Sequence, residues 1–426
     1  MEIEGYFAEI NWEIRFADGL SLKRSGENIF LSGDSRIINF RWEQVSEERM
    51  SIYWAILGFS VFGILLIFSV CGRTMSRRLE KIMFLIFAGL MTIMAAYIIP
   101  QTNMDLYRYY NQLERYAAGG HEYLWNQLSK DVQWIHCGWM YLVGQTGKKE
   151  LLPIVACAAC FVAFFYIWFD YTKSTKNRNF GFLECWGLFF VWLPYFQIID
   201  NIRNPISAAI CAVCIYLQFY KGKKFSKLIV WYLVSCLIHT QTAVVLLIVL
   251  VFMFSKGAYK YRYLLLLIFL TPDIVIIVLH TIPIPYVQFL AEKASTYFSA
   301  GFNSILYNGL TISRLCLCVV FLIINSFLAD KISKEEKEIF YIIEFVMLFT
   351  LGCIRIVTIV RRIPFVLAFL APIQLDIVRK YTPSRMKPFV DAIIKVSILA
   401  MQIFAIGKLT RFSISGINYD WLFSWL

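Results

Sequence analysis

The chain has 426 residues, 59% of them hydrophobic and 17% aromatic, with mean hydropathy +0.61 and formal net charge +12. Soluble domains average roughly 45–50% apolar, so the composition argues against two or three water-soluble domains and for one polytopic membrane domain. The charge does not describe a nucleic-acid face: 21 of the 41 Lys and Arg fall in six short loops between apolar stretches, the positive-inside pattern of a membrane protein.

Residues 1–50 are polar, with ten acidic and six basic side chains, and 28–42 alternate weakly, as a short strand would. They lack a basic end followed by an apolar core, so no cleavable signal peptide is expected. Glu47-Glu48-Arg49 before Met50 can be written in the purine-rich codons of a ribosome-binding site. Residues 1–50 are therefore either an extracytoplasmic tail or a stretch upstream of the true start.

The first span is expected at 51–71, followed by the basic loop Arg73, Arg77, Arg78 and Lys81, and the second at 82–100. An external loop, 101–149, follows, opening with Asp105-Leu106-Tyr107-Arg108-Tyr109-Tyr110. Its aromatic-rich part, 123–143, suits a helix lying at the interface. Spans at 151–170, 180–199 and 205–220 come next, with Asp200–Asn204 outside and Lys221, Lys223, Lys224 and Lys227 inside.

Residues 228–254 are 27 apolar-rich positions with basic flanks on both sides, Lys227 before and Lys256, Lys260 and Arg262 after. One helix would be about 40 Å long and would put one flank outside. Two short helices meeting near His239–Thr242 keep both flanks inside. Spans at 263–282, 309–328, 339–358, 363–378 and 389–408, a second external loop at 283–308 and a tail at 411–426 complete the chain. The expected architecture is an all-α polytopic membrane protein with about 11–12 transmembrane segments over 51–410 and both termini outside.

Under this topology Asp105 with Arg108, Arg203, His239, and Arg361 with Arg362 share the external face, and Arg355 lies about two turns before the last pair. External arginines run against the charge bias. A guanidinium donates two parallel hydrogen bonds to phosphate and stays charged, so a lipid diphosphate is the natural ligand. The plainer alternative is that these arginines reach lipid headgroups or pair with Asp105 and Asp200. A histidine inside an apolar stretch is a site candidate by default, its alternative being a hydrogen bond to a neighbouring helix. The eleven Cys and four His form no metal pattern; Cys157/Cys160 and Cys211/Cys214 have CxxC spacing but lie inside apolar stretches, where packing is expected.

The order of these segments resembles the EpsG family, which belongs with the Wzy-type polymerases of bacterial exopolysaccharide, capsule and O-antigen. Asp105-Leu106-Tyr107-Arg108-Tyr109-Tyr110 resembles its external Asp-Tyr segment, and Asn201-Ile202-Arg203-Asn204-Pro205-Ile206-Ser207 its Asn-x-Arg-Gln segment. Leu237-Ile238-His239-Thr240-Gln241-Thr242-Ala243 is similar to its Phe-His-x-Ser segment, and Arg361-Arg362-Ile363-Pro364-Phe365 to its late arginine before a span. Asn204, Ile238 and Thr240-Gln241-Thr242 depart from the usual glutamine, phenylalanine and serine. The resemblance covers about 50–410.

It implies a membrane-embedded glycosyltransferase of the lipid-phosphosugar-using class at the outer face of the cytoplasmic membrane. Its substrates would be undecaprenyl-diphosphate-linked oligosaccharides, with a chain-length regulator as a further partner and no cofactor or metal. Arg203, Arg361, Arg362, Arg355 and Arg108 would hold the diphosphate, with His239 or Asp105 as base. Tyr107, Trp125, Trp139 and Asn201 would meet sugar. The rivals are a lipid-linked oligosaccharide flippase, an O-antigen ligase and a membrane acyltransferase. No internal repeat supports the transporter.

Overall fold

The computed structural model describes four short strands within 12–39, residues 76–174 apart from 97, 99, 101 and 103, residues 181–254, scattered positions between 277 and 295, and 309–409 apart from 355. Arg355, the expected span at 51–71, the tail at 411–426, and most of 263–282 and of the loop 283–308 lie outside the described residues.

The strands belong to an N-terminal unit of the chain. β1 (Trp12–Arg15), β2 (Ser21–Ser25), β3 (Asn28–Ser32) and β4 (Ile38–Asn39) form an antiparallel meander. Ser25 pairs with Asn28 at the end of the β2–β3 ladder. The weak alternation in 28–42 thus belongs to a sheet that begins earlier, at Trp12.

The second unit is helical in every described element, as an all-α membrane protein should be. Among the described residues, three helices are long and apolar enough to cross a bilayer: α1 (Arg77–Ala96), α4 (Leu151–Ser174) and the Thr311–Leu328 part of α10 (Gly309–Leu328). Between α1 and α4 lie α2 (Asp105–Lys130) and α3 (Trp134–Thr146), packed against each other. Gly120 breaks α2 with φ +52°, a conformation glycine adopts without a Cβ clash.

Several expected spans are broken. The stretch 180–199 is α5 (Phe182–Trp192) and α6 (Tyr195–Asp200), interrupted at Leu193-Pro194, because proline removes a backbone donor. The next helix, α7 (Arg203–Ile215), ends in a π-helical turn, Tyr216–Tyr220. α8 (Phe225–Ile238) and α9 (Thr242–Phe254) are separated by His239–Gln241. They form the expected hairpin, and α7 with its π-helical end shows the direction of α9. Val245, near its start, shares a cavity wall with Asn204 and Ser207. Near its end, Met253 Sδ accepts from Gln218 Nε2 at 2.9 Å, and Phe252 packs edge-on to Phe219. After α10 come α11 (Lys334–Gly352), the short α12 (Val357–Arg362), α13 (Phe365–Tyr381) and α14 (Lys387–Leu409).

The core lies where α4, α5 and α13 meet. Trp186 stacks on Phe189 (5.6 Å, 10°), and Phe161, Phe164 and Phe369 close around them. Gly187 lets α14 approach: a Cβ there would stand 2.8 Å from Ile398 Cγ2. At the basic-loop end of α13, Arg379 pairs with buried Glu184 and with Asp391 (2.8 Å), and Lys380 Nζ reaches Glu336 at 3.0 Å. These lysines and arginines, read from the sequence as topology markers alone, also lock α5, α11, α13 and α14 together.

Candidate functional site

The three interruptions, at Asp200–Arg203, His239–Gln241 and Arg361–Pro364, bring their polar side chains together against the start of α2. A helix interruption exposes backbone groups and needs polar partners inside a membrane protein, which is why such places gather side chains of this kind. Asp200 Oδ1 accepts the backbone N–H of Leu106 at 3.1 Å, satisfying one of the unpaired donors at the start of α2. Burial pushes the Asp200 carboxyl above the usual carboxylate range, opposed by that N–H and by the Arg108 and Arg362 charges.

Asp105 pairs with Arg108 one turn on, while Arg362 Nη2 stands 4.0 Å from its other oxygen. The same Nη2 lies 3.5 Å from Asn201 Oδ1, and Asn201 Nδ2 donates back to Gln197 at 3.0 Å. Arg203 is oriented by two acceptors: Nε donates to Tyr109 Oη at 2.9 Å and Nη1 to Gln133 Oε1 at 2.7 Å. Its guanidinium carbon lies 5.2 Å from the Tyr109 ring centre. Its remaining nitrogen, Nη2, has no hydrogen bond among the described residues.

His239 sits in the α8–α9 break with an extended backbone (φ −150°, ψ 121°); its N–H donates to Ser235 O and its carbonyl accepts from Thr242 N–H. The ring is 6% exposed. Nε2 is 3.3 Å from Gln241 Oε1, whereas Nδ1 has no partner among the described residues. With Gln241 Oε1 as the acceptor, the contact is made by the Nε2–H tautomer, which carries its lone pair on Nδ1. A small cavity opens between His239, Gln241, Arg362, Asn204 and Ser207, with Val366 behind them. Arg362 lines this cavity beside His239, and Arg203 directly precedes the lining residue Asn204.

Of the expected site residues, the structure gathers Asp105, Arg203, Arg362, His239, Asn201 and, through Asp105, Arg108. Arg361 is turned to α10, where its Nε donates to Thr311 Oγ1 at 3.1 Å, because consecutive residues on a helix point about 100° apart. Tyr107 is half-buried and Trp125 is 69% exposed beyond the Gly120 kink. Trp139 packs edge-on to His136 at 6.2 Å.

Sequence reasoning passed over Tyr109, Gln133 and His136. Tyr109 stands four residues after Asp105, hence on the same helix face. His136, on α3, is 1% exposed with neither ring nitrogen bonded among the described residues. Burial first, and Arg203 second, hold it well below the usual imidazole range, so it is neutral. Nothing in the spacing of 133–136 announces this.

The sequence model of the EpsG family matches residues 81–421, four-fifths of the chain, including every residue of this cluster. The chain belongs to the EpsG family. No curated protein and no solved structure matches it. As an EpsG-family chain it is a membrane protein of polysaccharide biosynthesis, and the β-meander lies wholly outside the part that matches the family.

Proposed function

We propose that this EpsG-family protein is a polysaccharide repeat-unit polymerase. It moves growing glycan from undecaprenyl diphosphate onto a single lipid-linked repeat unit at the outer face of the bacterial cytoplasmic membrane. The observation that carries the reading is the cavity in which Arg362 and Asn204, the residue after Arg203, meet a histidine whose Nδ1 has no described partner, at three helix interruptions.

In the transfer, a hydroxyl of the incoming repeat unit attacks the anomeric carbon of the growing chain. The bond from that carbon to the diphosphate oxygen breaks, and the lipid diphosphate leaves with the electron pair. Arg203 and Arg362 lie where that negative charge develops, and fixed donors there act more strongly than water would. The hydroxyl proton passes to His239 Nδ1, which Gln241 keeps free by engaging Nε2. Asp105, engaged by Arg108, orients Arg362.

The test uses lipid-linked repeat unit extracted from cells lacking the gene, added to the purified protein in lipid nanodiscs. Chains of increasing length support the polymerase. Single repeat units carried across the membrane without elongation would replace it with a flippase, and transfer of preformed polymer to a separate acceptor, with a ligase.

A further inference from the structure

Arg314, on α10, is fully buried, and no carboxylate pairs with it among the described residues. An arginine in that position requires another source of negative charge. It is supplied by two backbone carbonyls at helix ends. Arg314 Nη2 donates to Trp192 O at 3.0 Å, the last residue of α5, and Nη1 donates to Arg361 O, at the end of α12. Carbonyls in the last turn of a helix lack intrahelical donors and carry the negative end of its dipole. The guanidinium also lies 5.0 Å from the centre of the Phe365 ring, at the start of α13.

Those two carbonyls belong to the two interruptions that lead into the arms of the site. Beyond Trp192 the chain passes through α6 to Asp200, Asn201 and Arg203. Beyond Arg361 comes Arg362. One turn before Arg314 on α10, Thr311 accepts from the Arg361 side chain, so Arg361 is gripped by backbone and side chain alike. With Arg361 gripped from α10, Arg362 falls on the side facing Asn201 and Asp105.

We infer that Arg314 is a positioning residue, pinning both interruptions to α10 so that Arg203 and Arg362 are held across one gap. Its catalytic consequence rests on the polymerase reading; its structural consequence does not. A displacement of about 1 Å in a charge-stabilising group can lower turnover by roughly 10²-fold.

The experiment compares wild type, Arg314→Met, Arg314→Lys and Thr311→Val in nanodiscs, with two readouts. The first is elongation of lipid-linked repeat unit over a range of concentrations. Arg314→Met should lower kcat about 10- to 100-fold with KM within about twofold, and Thr311→Val should lower it in the same sense by about threefold to tenfold. Arg314→Lys, which keeps the charge, should recover part of the loss. The second readout is hydrogen exchange. In Arg314→Met, amides in 193–203 and 358–366 should exchange together at least about tenfold faster, with α1 and α4 unchanged.

Unchanged exchange, or loosening of one interruption alone, overturns the brace. A rise in KM at constant kcat overturns it too, since Arg314 would then be touching substrate. If Arg314→Met does not insert in the membrane, Thr311→Val and Arg314→Lys decide by the same two readouts. Wild-type protein that fails to elongate removes the polymerase reading only, and the exchange pattern still decides the brace.

Discussion

Arg203→Lys is the most informative single change, because it keeps the charge and removes the geometry. Arg203 donates to Tyr109 Oη at 2.9 Å and Gln133 Oε1 at 2.7 Å, two acceptors that are 7% and 2% exposed by residue. The third edge of the guanidinium makes no hydrogen bond among the described residues and, on the polymerase reading, meets the incoming anion. An ammonium is one point of charge with no fixed fork. It can satisfy one of these acceptors or approach the anion, but it cannot hold both acceptors and present a third nitrogen. Losing one fixed donor to a developing anion typically lowers kcat about 10²–10³-fold, roughly 2.7–4 kcal/mol of transition-state stabilisation. The expected result is a fall in kcat of about 10²-fold with normal membrane insertion, read as chain elongation in nanodiscs and as the surface polysaccharide ladder. Arg108→Lys is the internal control. Its side chain is 71% exposed and its ion pair among the described residues is with Asp105, so elongation should stay within about threefold. Arg203→Lys within about threefold of wild type, or Arg108→Lys as damaging as Arg203→Lys, would refute the assignment of the diphosphate to the forked edge of Arg203.

Three further outcomes are expected. His239→Gln should abolish elongation while Asp105→Asn only reduces it; the reverse order moves the base to Asp105. A reporter fused after Lys260 should give a cytoplasmic signal and one after Asn303 an external signal, and an external signal at Lys260 would contradict the hairpin orientation. His136, whose imidazole range is depressed by burial and Arg203, should make the folded protein lose stability as pH falls below the unfolded value of about 6.5, since the unfolded chain then binds the extra proton. The melting temperature in detergent should therefore drop less between pH 7.5 and pH 5 in His136→Asn than in wild type, and equal drops would show that His136 is not the group responsible.

Basic residues at both ends of 228–254 were enough to read the α8–α9 hairpin, because charge placement is imposed by the membrane and not by packing. The arginines at 203 and 362 and the histidine at 239 were legible for a related reason: charged groups against the bias stand out in an apolar sequence. Arg361 and Arg362 could not be told apart, since their difference lies in which side of α12 meets Thr311, a contact 50 residues away. Trp125 and Tyr107 were drawn in by composition, but a kink at Gly120 and the helical phase of Asp105 and Tyr109 decide which aromatic faces Arg203. Arg314 stands inside the expected span 309–328, where nothing in the sequence names a partner for it. Its partners are carbonyls, and carbonyls leave no trace in a sequence.

The hairpin also bears on how the protein is made. α8 has 14 residues, about 20 Å, short of a hydrocarbon layer about 30 Å thick. α8 cannot settle across the bilayer as an independent segment during synthesis, so it must enter together with α9, leaning on what is already there. α7 is in place by then, and Gln218 and Phe219 receive Met253 and Phe252. Phe252 also meets Phe345 on α11, some 90 residues later in the chain (5.7 Å, 72°). The newborn hairpin is therefore half-seated until α11 emerges from the ribosome, and His239 acquires its final surroundings only near the end of translation, when Arg362 arrives beside it.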